Sequence, residues 1–258
     1  MIRLTNLRKL YDDTLAVKDL SVSIPTGLVC GLVGQNGAGK TTTLRCIAGV
    51  LSRTSGEIDI NGLDPQRDPI AVKTIVAYVP DDPPLFDDLT VGQHMDFISH
   101  LYRIADHRQR SFDLLKQFNL IEKYDATAAT LSRGMRQKLA VACAYLSNPK
   151  VLLLDEPLTG LDPPGIRQLL DSVTQFARHG NTVIISSHLL AMIADVCDRV
   201  LLLHNGRVQH QGTIDELRKR YPDAQSLEDV FFAATHADHL HADQITIAEE
   251  PLPVAVTA

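Results

Sequence analysis

The chain lacks any apolar stretch long enough to cross a bilayer. The longest runs, around Val151 to Leu154 and Val200 to Leu203, fall far short of the roughly 20 residues a spanning helix needs. It also lacks a block of like charges, and with a net charge of −6 no broad electrostatic footprint for DNA or RNA is expected. Cys30, Cys46, Cys143 and Cys197 are scattered among apolar neighbours and include no Cys-x-x-Cys pair. Buried thiols in a reducing compartment are expected in place of zinc ligands or disulfides. The start, Met1-Ile2-Arg3-Leu4-Thr5-Asn6, has neither the charged opening nor the apolar core of a signal peptide, which predicts a cytosolic chain. What remains is a chain of 258 residues with 45% apolar content, enough to bury a substantial core as one compact unit.

Gly34-Gln35-Asn36-Gly37-Ala38-Gly39-Lys40-Thr41-Thr42 follows the apolar run Leu28 to Val33 and precedes a helix-like stretch from Thr43 to Leu51. The run reads as a buried parallel strand. The glycines let the backbone turn back and bring its N–H groups close to an anion, and the helix that follows adds its positive end. Lys40 is expected to reach the β- and γ-phosphates of a nucleotide, and the Thr41 hydroxyl to ligate Mg²⁺. The bare Gly-x4-Gly-Lys-Ser/Thr pattern arises by chance in about one chain of this length in a hundred. Strand and helix flanks cut that further, so a glycine-rich turn without a ligand is the weaker reading.

Val151-Leu152-Leu153-Leu154-Asp155-Glu156 is an unbroken apolar strand ending in two acids. A parallel strand covered on both faces gives such a run, and acids at its C-terminal end lie on the ligand side of the sheet. Asp155 is expected to hold Mg²⁺ through its water shell, and Glu156 to polarise the attacking water. A second run, Thr182 to Ser187, delivers His188 to the same side, where an imidazole can bond a γ-phosphate. Leu131-Ser132-Arg133-Gly134-Met135 opens a helix with apolar residues at Met135, Leu139, Ala142 and Leu146. Ser132 as its N-cap, free N–H groups and Gly134 make this helix start a second anion site. Asp162, followed by Pro163, starts a further helix that Gly180 closes. Tyr11, 23 residues before the first loop glycine, is placed to stack on a base, although alone it reads as a strand-end tyrosine.

Elsewhere Ile2-Arg3-Leu4 and Leu20 to Ile24 alternate like strands with one exposed face, an antiparallel flank. Gly56 to Gly62 reads as a strand ended by an Asn-Gly turn, with another strand over Thr74 to Val79. Pro80-Asp81-Asp82-Pro83-Pro84-Leu85-Phe86 excludes helix. It is either a linker or a hinge that senses nucleotide and shows Leu85 and Phe86 to a partner. Thr90 with Gln93 signals a capping box, and helical spacing runs on to Leu146, a helical subdomain over about 90–146 inserted in an α/β core. Val200 to Val208 reads as a hairpin about Asn205-Gly206, and Thr213 with Glu216 caps a last short helix. The tail after Asp243 reads as irregular, and His236, His239 and His241 as solvated histidines in preference to metal ligands.

In this order, the phosphate loop, Leu131-Ser132-Arg133-Gly134-Met135, Asp155-Glu156, Asp162 and His188 resemble the nucleotide-binding subunit of ATP-binding cassette (ABC) transporters. The resemblance covers roughly residues 1–220, with 221–258 as a C-terminal extension. It implies an α/β fold: a P-loop NTPase core with a mainly parallel sheet, an antiparallel β flank and the inserted helical subdomain. It further implies ATP and Mg²⁺, and a head-to-tail dimer in which Ser132 and Gly134 reach the γ-phosphate across the seam while Asp162 communicates between sites. Tyr11 falls where the family stacks adenine, and His188 where it has its switch histidine. The implied partners are a second ABC subunit, identical or different, and a membrane permease on a separate chain, at the cytoplasmic face of the cell membrane, with no nucleic acid. Three positions depart from the pattern. Arg133 and Met135 stand where the signature has a glycine and a glutamine, and Asp81 stands where glutamine usually follows Tyr-x-Pro, keeping an oxygen able to reach Mg²⁺ or water. Asp81, Gly134-Met135 and Ser226-Leu227-Glu228-Asp229-Val230-Phe231 look most like the exporter branch. The rival readings are a soluble cassette ATPase acting on nucleic acid or ribosomes, a module that uses ATP only to dimerise, and a small-molecule kinase. The single cassette and acidic balance oppose the first, Asp155-Glu156 the second, and Ser132-Arg133-Gly134 with His188 the third.

Overall fold

The computed structural model describes residues 1–188, 190–226, 229–230 and 232–234. The tail after Asp243, His236, His239 and His241, and Leu227, Glu228 and Phe231 of the exporter-like stretch lie outside the described residues.

The fold is α/β with two sheets. Strands β1 (Ile2–Tyr11), β2 (Thr14–Ile24) and β4 (Ser55–Ile60) form an antiparallel sheet in the order β2-β1-β4. Both hairpin strands are longer than the alternating segments in the sequence suggest, because register shifts after Leu4 interrupt the alternation without ending the pairing. The second sheet is built from β3 (Val29–Val33), β5 (Val76–Val79), β6 (Val151–Asp155), β7 (Thr182–Ser187), β8 (Arg199–His204) and β9 (Arg207–Gly212). Its order is β5-β6-β7-β3-β8-β9, and every pairing is parallel except the β8–β9 hairpin.

The unbroken apolar strands are explained by a core on each face. Leu152, Leu154, Val183, Ile185, Val29 and Val33 point into one cluster, with Met95, Leu115, Phe118 and Leu139 from the helices. Val151, Leu153, Ile184, Cys30 and Leu32 point into the other, with Ile2, Leu20 and Ile60 of the antiparallel sheet and Leu44 and Ile47 of α1 (Lys40–Ile47). A strand with period two and apolar residues at every position must be covered on both sides. All four cysteines are buried and unpaired, and burial pushes the thiols of Cys30 and Cys143 up to about 12.

Two expected boundaries move. The strand ahead of the prolines begins at Val76, because α2 (Pro69–Ile75) takes up Thr74 and Ile75. Pro69 presets the helical φ of the first turn, and Val72 turns inward. Helix α1 starts at Lys40, three residues before the expected Thr43, and ends at Ile47, where Gly49 at φ +67 leaves the helical path.

Between β5 and β6 the chain forms α3 (Val91–Leu101), α4 (His107–Gln117), two short 3-10 turns and α5 (Arg133–Leu146). Thr90 and Gln93 make the expected reciprocal capping box, and the Ser132 hydroxyl accepts from Met135 N–H at 3.3 Å. After β6, Asp162 caps α6 (Pro163–Arg178) by accepting from Gly165 N–H at 3.2 Å. Helices α7 (Leu190–Ala194) and α8 (Ile214–Arg220) follow, the latter with the expected Thr213–Glu216 box.

Candidate active site

Register decides where the functional side chains meet. Val33 of β3 lies beside Ser187 of β7, and Ser186 beside Asp155 of β6. The phosphate loop, the acid pair and His188 therefore leave neighbouring strands at one sheet edge, the end where parallel α/β sheets take their ligands.

The loop is shaped by contacts only glycine tolerates. A Cβ on Gly34 would lie 2.4 Å from the carbonyl oxygen of Leu203, and Gly39 combines φ +101 with an approach of 2.6 Å to that of Ala16. Gly39 is also the N-cap of α1 and brings no side chain to its first turn, so those N–H groups are left for an anion. Lys40 is 5% exposed. Its Nζ donates to the carbonyls of Gly34 at 2.7 Å and Gln35 at 3.3 Å, and lies 3.2 Å from Glu156 Oε1. That last contact is an ion pair out of hydrogen-bond alignment, and Glu156 Oε1 is a buried oxygen with no hydrogen-bond partner.

Asp155 is held on both oxygens. Oδ1 accepts from Thr41 Oγ1 at 3.0 Å and Ser186 Oγ at 2.7 Å, and Oδ2 accepts from the Tyr78 hydroxyl at 3.1 Å. Burial raises the Tyr78 hydroxyl to about 12, only partly offset by a bond from Arg45 Nε at 3.4 Å, so it stays a donor at neutral pH. Arg45 is in turn kept protonated first by that bond, against its own desolvation. Glu156 sits at φ +47; its N–H donates to Ser186 Oγ at 2.9 Å, and its Oε2 lies 2.8 Å from His188 Nδ1. Ser186 thus orients both acids. Sequence reasoning missed Ser186, Tyr78 and Arg45, and the only signal was their placement at strand ends or one helical turn past the loop.

These groups fit a magnesium nucleotide. A hydroxyl and a carboxylate side by side are the hard oxygen donors Mg²⁺ prefers, next to a buried ammonium and a helix start without a cap. Glu156 Oε1, beside the Lys40 ammonium and without a hydrogen-bond partner, keeps its capacity to accept a proton.

Other expected site residues stand elsewhere. Among the described residues, no hydrogen bond or ion pair joins Ser132, Gly134 or Asp162 to the phosphate loop. Gly134 instead backs onto the loop after β6, where a Cβ would lie 2.7 Å from the Gly160 carbonyl oxygen. Asp81 pairs with Arg133, Nη2 to Oδ1 at 3.0 Å, and among the described residues no hydrogen bond or ion pair joins it to Thr41 or Asp155. Tyr11 is 40% exposed at the end of β1, with Lys9 Nζ 4.9 Å above its ring. The remaining loop positions, Asn36, Gly37, Ala38 and Thr42, lie between β3 and the first turn of α1.

A phosphate loop after one buried parallel strand and an acid pair after another define a nucleotide-binding protein of the P-loop class. The family described as ABC transporter matches residues 17–159, and the chain belongs to it. It is 34% identical over 235 residues to "ABC-type transporter ATP-binding protein EcsA" of Bacillus subtilis (strain 168), covering 90% of this chain and 95% of that protein. It is 33% identical over 219 residues to "Daunorubicin resistance ATP-binding protein DrrA3" of Streptomyces coeruleorubidus, covering 84% and 69%. Among solved structures, "Structure of ATP binding subunit of ABC transporter" superposes with a TM-score of 0.85 at 31% identity, over 91% of this chain and 99% of that one.

Proposed function

We propose that this chain is the ATP-binding and ATP-hydrolysing subunit of an ABC exporter, acting as a dimer at the cytoplasmic face of the membrane with a permease carried on a separate chain. The observation that carries the reading is the convergence of Lys40, Thr41, Asp155, Glu156 and His188 at one sheet edge, while among the described residues no hydrogen bond or ion pair joins Ser132 or Gly134 to it. A helix start that cannot serve its own phosphate loop can serve a neighbour's.

In this reading ATP lies on the loop and Lys40 neutralises its outer phosphates. Thr41 and Asp155 hold Mg²⁺, which supplies charge stabilisation to the transferring phosphoryl group. Glu156 takes the proton of the attacking water, His188 bonds the γ-phosphate, Tyr11 stacks on the base, and Asp162 senses the opposite site. In this assignment Asp81 stays with Arg133 and is not counted among the groups that hold the metal. Residues 1–220 form the ATPase domain, with 90–146 as the helical subdomain and 221–258 as the extension.

The permease is proposed to sit on an apolar groove of about 310 Å³ between the core and the helical segment, walled by Val50, Val79, Pro83, Leu85, Ile98 and Tyr102. Val50, Ile70, Phe86 and Leu101 are more than half exposed. Such apolar surface supports a protein partner. No helix of the described residues is long and apolar enough to cross a membrane, and in this reading a permease on a separate chain supplies the pathway.

The test is to express tagged Glu156→Gln in its native host, solubilise membranes gently in MgATP and identify what co-purifies. A polytopic membrane protein in stoichiometric amount is the expected result. Soluble proteins or nucleic acid alone would leave the ATPase and remove the transport.

A further inference from the structure

Asp81 and Arg133 lie 52 residues apart, and each is charged where the ABC pattern is not. In the folded chain they meet at 3.0 Å. Asp81 follows Pro80 in the segment that also brings Pro83, Pro84 and Leu85 to the wall of the apolar groove. Arg133 is the first residue of α5, flanked by Ser132 and Gly134.

Arg133 has a further neighbour. Gly160, in the loop after β6, has φ +79, and a Cβ there would lie 3.0 Å from Arg133 Cδ and 3.2 Å from Cγ. The methylene stem of Arg133 therefore lies on bare backbone, with its guanidinium carried past it to Asp81. One side chain joins the groove-side loop, the loop that follows the acid pair, and the start of α5.

We propose that the Asp81–Arg133 pair is a strut through which the groove-side loop sets the position of Ser132 and Gly134 toward the nucleotide of a second copy. This rests on the dimer reading above. The hydroxyl of Ser132 is engaged in capping α5, so its placement follows the helix start as a rigid unit. That start is held by contact with Gly160 on one side and by Asp81 on the other. A partner that shifts residues 80–85 must either carry Arg133 along or break the pair. Either way the change arrives at the helix start, and a groove on one side of the molecule is linked to a phosphate contact on another.

The side chains of Arg133 and Asp81 are 55% and 48% exposed, so the pair is a weak, salt-screened contact, worth about two- to five-fold in an equilibrium constant. That is small against folding but enough to bias the opening and closing of a seam. If instead Arg133 acted alone, as a cation on the neighbour's phosphate, Asp81 would not matter to it.

The test uses the full chain carrying Glu156→Gln, and reads by sedimentation the MgATP concentration that half-dimerises it. Asp81→Asn and Arg133→Gln, added singly, are expected to raise that midpoint about two- to five-fold. The two together should raise it no further than either alone, and Asp81→Glu with Arg133→Lys should restore it. High ionic strength should erase the difference between the parent and Asp81→Asn. Additive effects, or a silent Asp81→Asn, would overturn the strut while leaving the dimer intact. A parent that does not dimerise with MgATP would instead overturn the dimer reading, and the strut with it.

Discussion

Glu156 has two neighbours competing for one carboxylate: Lys40 at 3.2 Å on one oxygen and His188 at 2.8 Å on the other. Without its charge the pocket keeps its shape, because its N–H remains tied to Ser186. Glu156→Gln is therefore expected to lower turnover about 10²–10⁴-fold while ATP binding survives; wild-type turnover in that variant would take the general-base role from Glu156. Lys40 is different, because it also donates to the carbonyls of Gly34 and Gln35 and so holds the loop itself. Lys40→Ala should weaken nucleotide binding about 10- to 100-fold, since charge-assisted hydrogen bonds to phosphate are worth roughly 1.5–3 kcal/mol. Titration with a fluorescent ATP analogue reads this directly, and an unchanged affinity would contradict it. Tyr78 touches no phosphate in this reading but fixes Asp155 Oδ2. Tyr78→Phe should weaken Mn²⁺ binding to the nucleotide complex about tenfold, as loss of an outer-shell partner does. ATP binding in EDTA should stay unchanged, and Mn²⁺ resonance titration separates the two.

At the scale of the elements, α5 and the loop after β6 act through the absence of side chains. Gly134 approaches the Gly160 carbonyl so closely that a methyl group would lie 2.7 Å from it, and Gly160 itself lies under the stem of Arg133. Gly134→Ala should lift the helix start off this loop and weaken ATP-driven dimerisation, while the monomer still binds a nucleotide analogue. Dimerisation at the wild-type midpoint would mean that the close approach is not what sets the seam. Much of this level was legible in the sequence. The apolar runs within β3, β6 and β7 follow from cover on both faces, and the caps at Thr90, Ser132, Asp162 and Thr213 are local chemistry that a sequence carries openly. Helix α2 was not legible, because β-branched Thr74, Ile75 and Val76 read as one strand and the boundary between helix and strand falls inside them. Nor were the bonds from Tyr78 to Asp155 and from Arg133 to Asp81, which depend on strand order and on the packing of separate segments.

At the scale of the whole molecule, the order β5-β6-β7-β3 puts the groove and the phosphate loop on one continuous sheet, with Tyr78 shared between the groove and Asp155. The same residue lines the apolar groove and fixes the carboxylate proposed to hold the metal. A partner in the groove therefore rests against the strand that ends at the proline-rich loop, one strand away from Asp155. This gives the proposed permease a short mechanical path to the site without touching nucleotide. The path is open to test at its outer end. Val50 lines the groove and is 63% exposed, so a charge there meets water in the free subunit, and surface changes of this kind shift stability by only about 0.5 kcal/mol. Val50→Glu is expected to melt like the parent, yet to lose the membrane protein in co-purification, because a docked apolar partner would bury that carboxylate without a counter-charge. If the membrane protein still comes down in full stoichiometry, the groove is not where the permease docks, and the link from Tyr78 to Asp155 would have to serve the cassette alone.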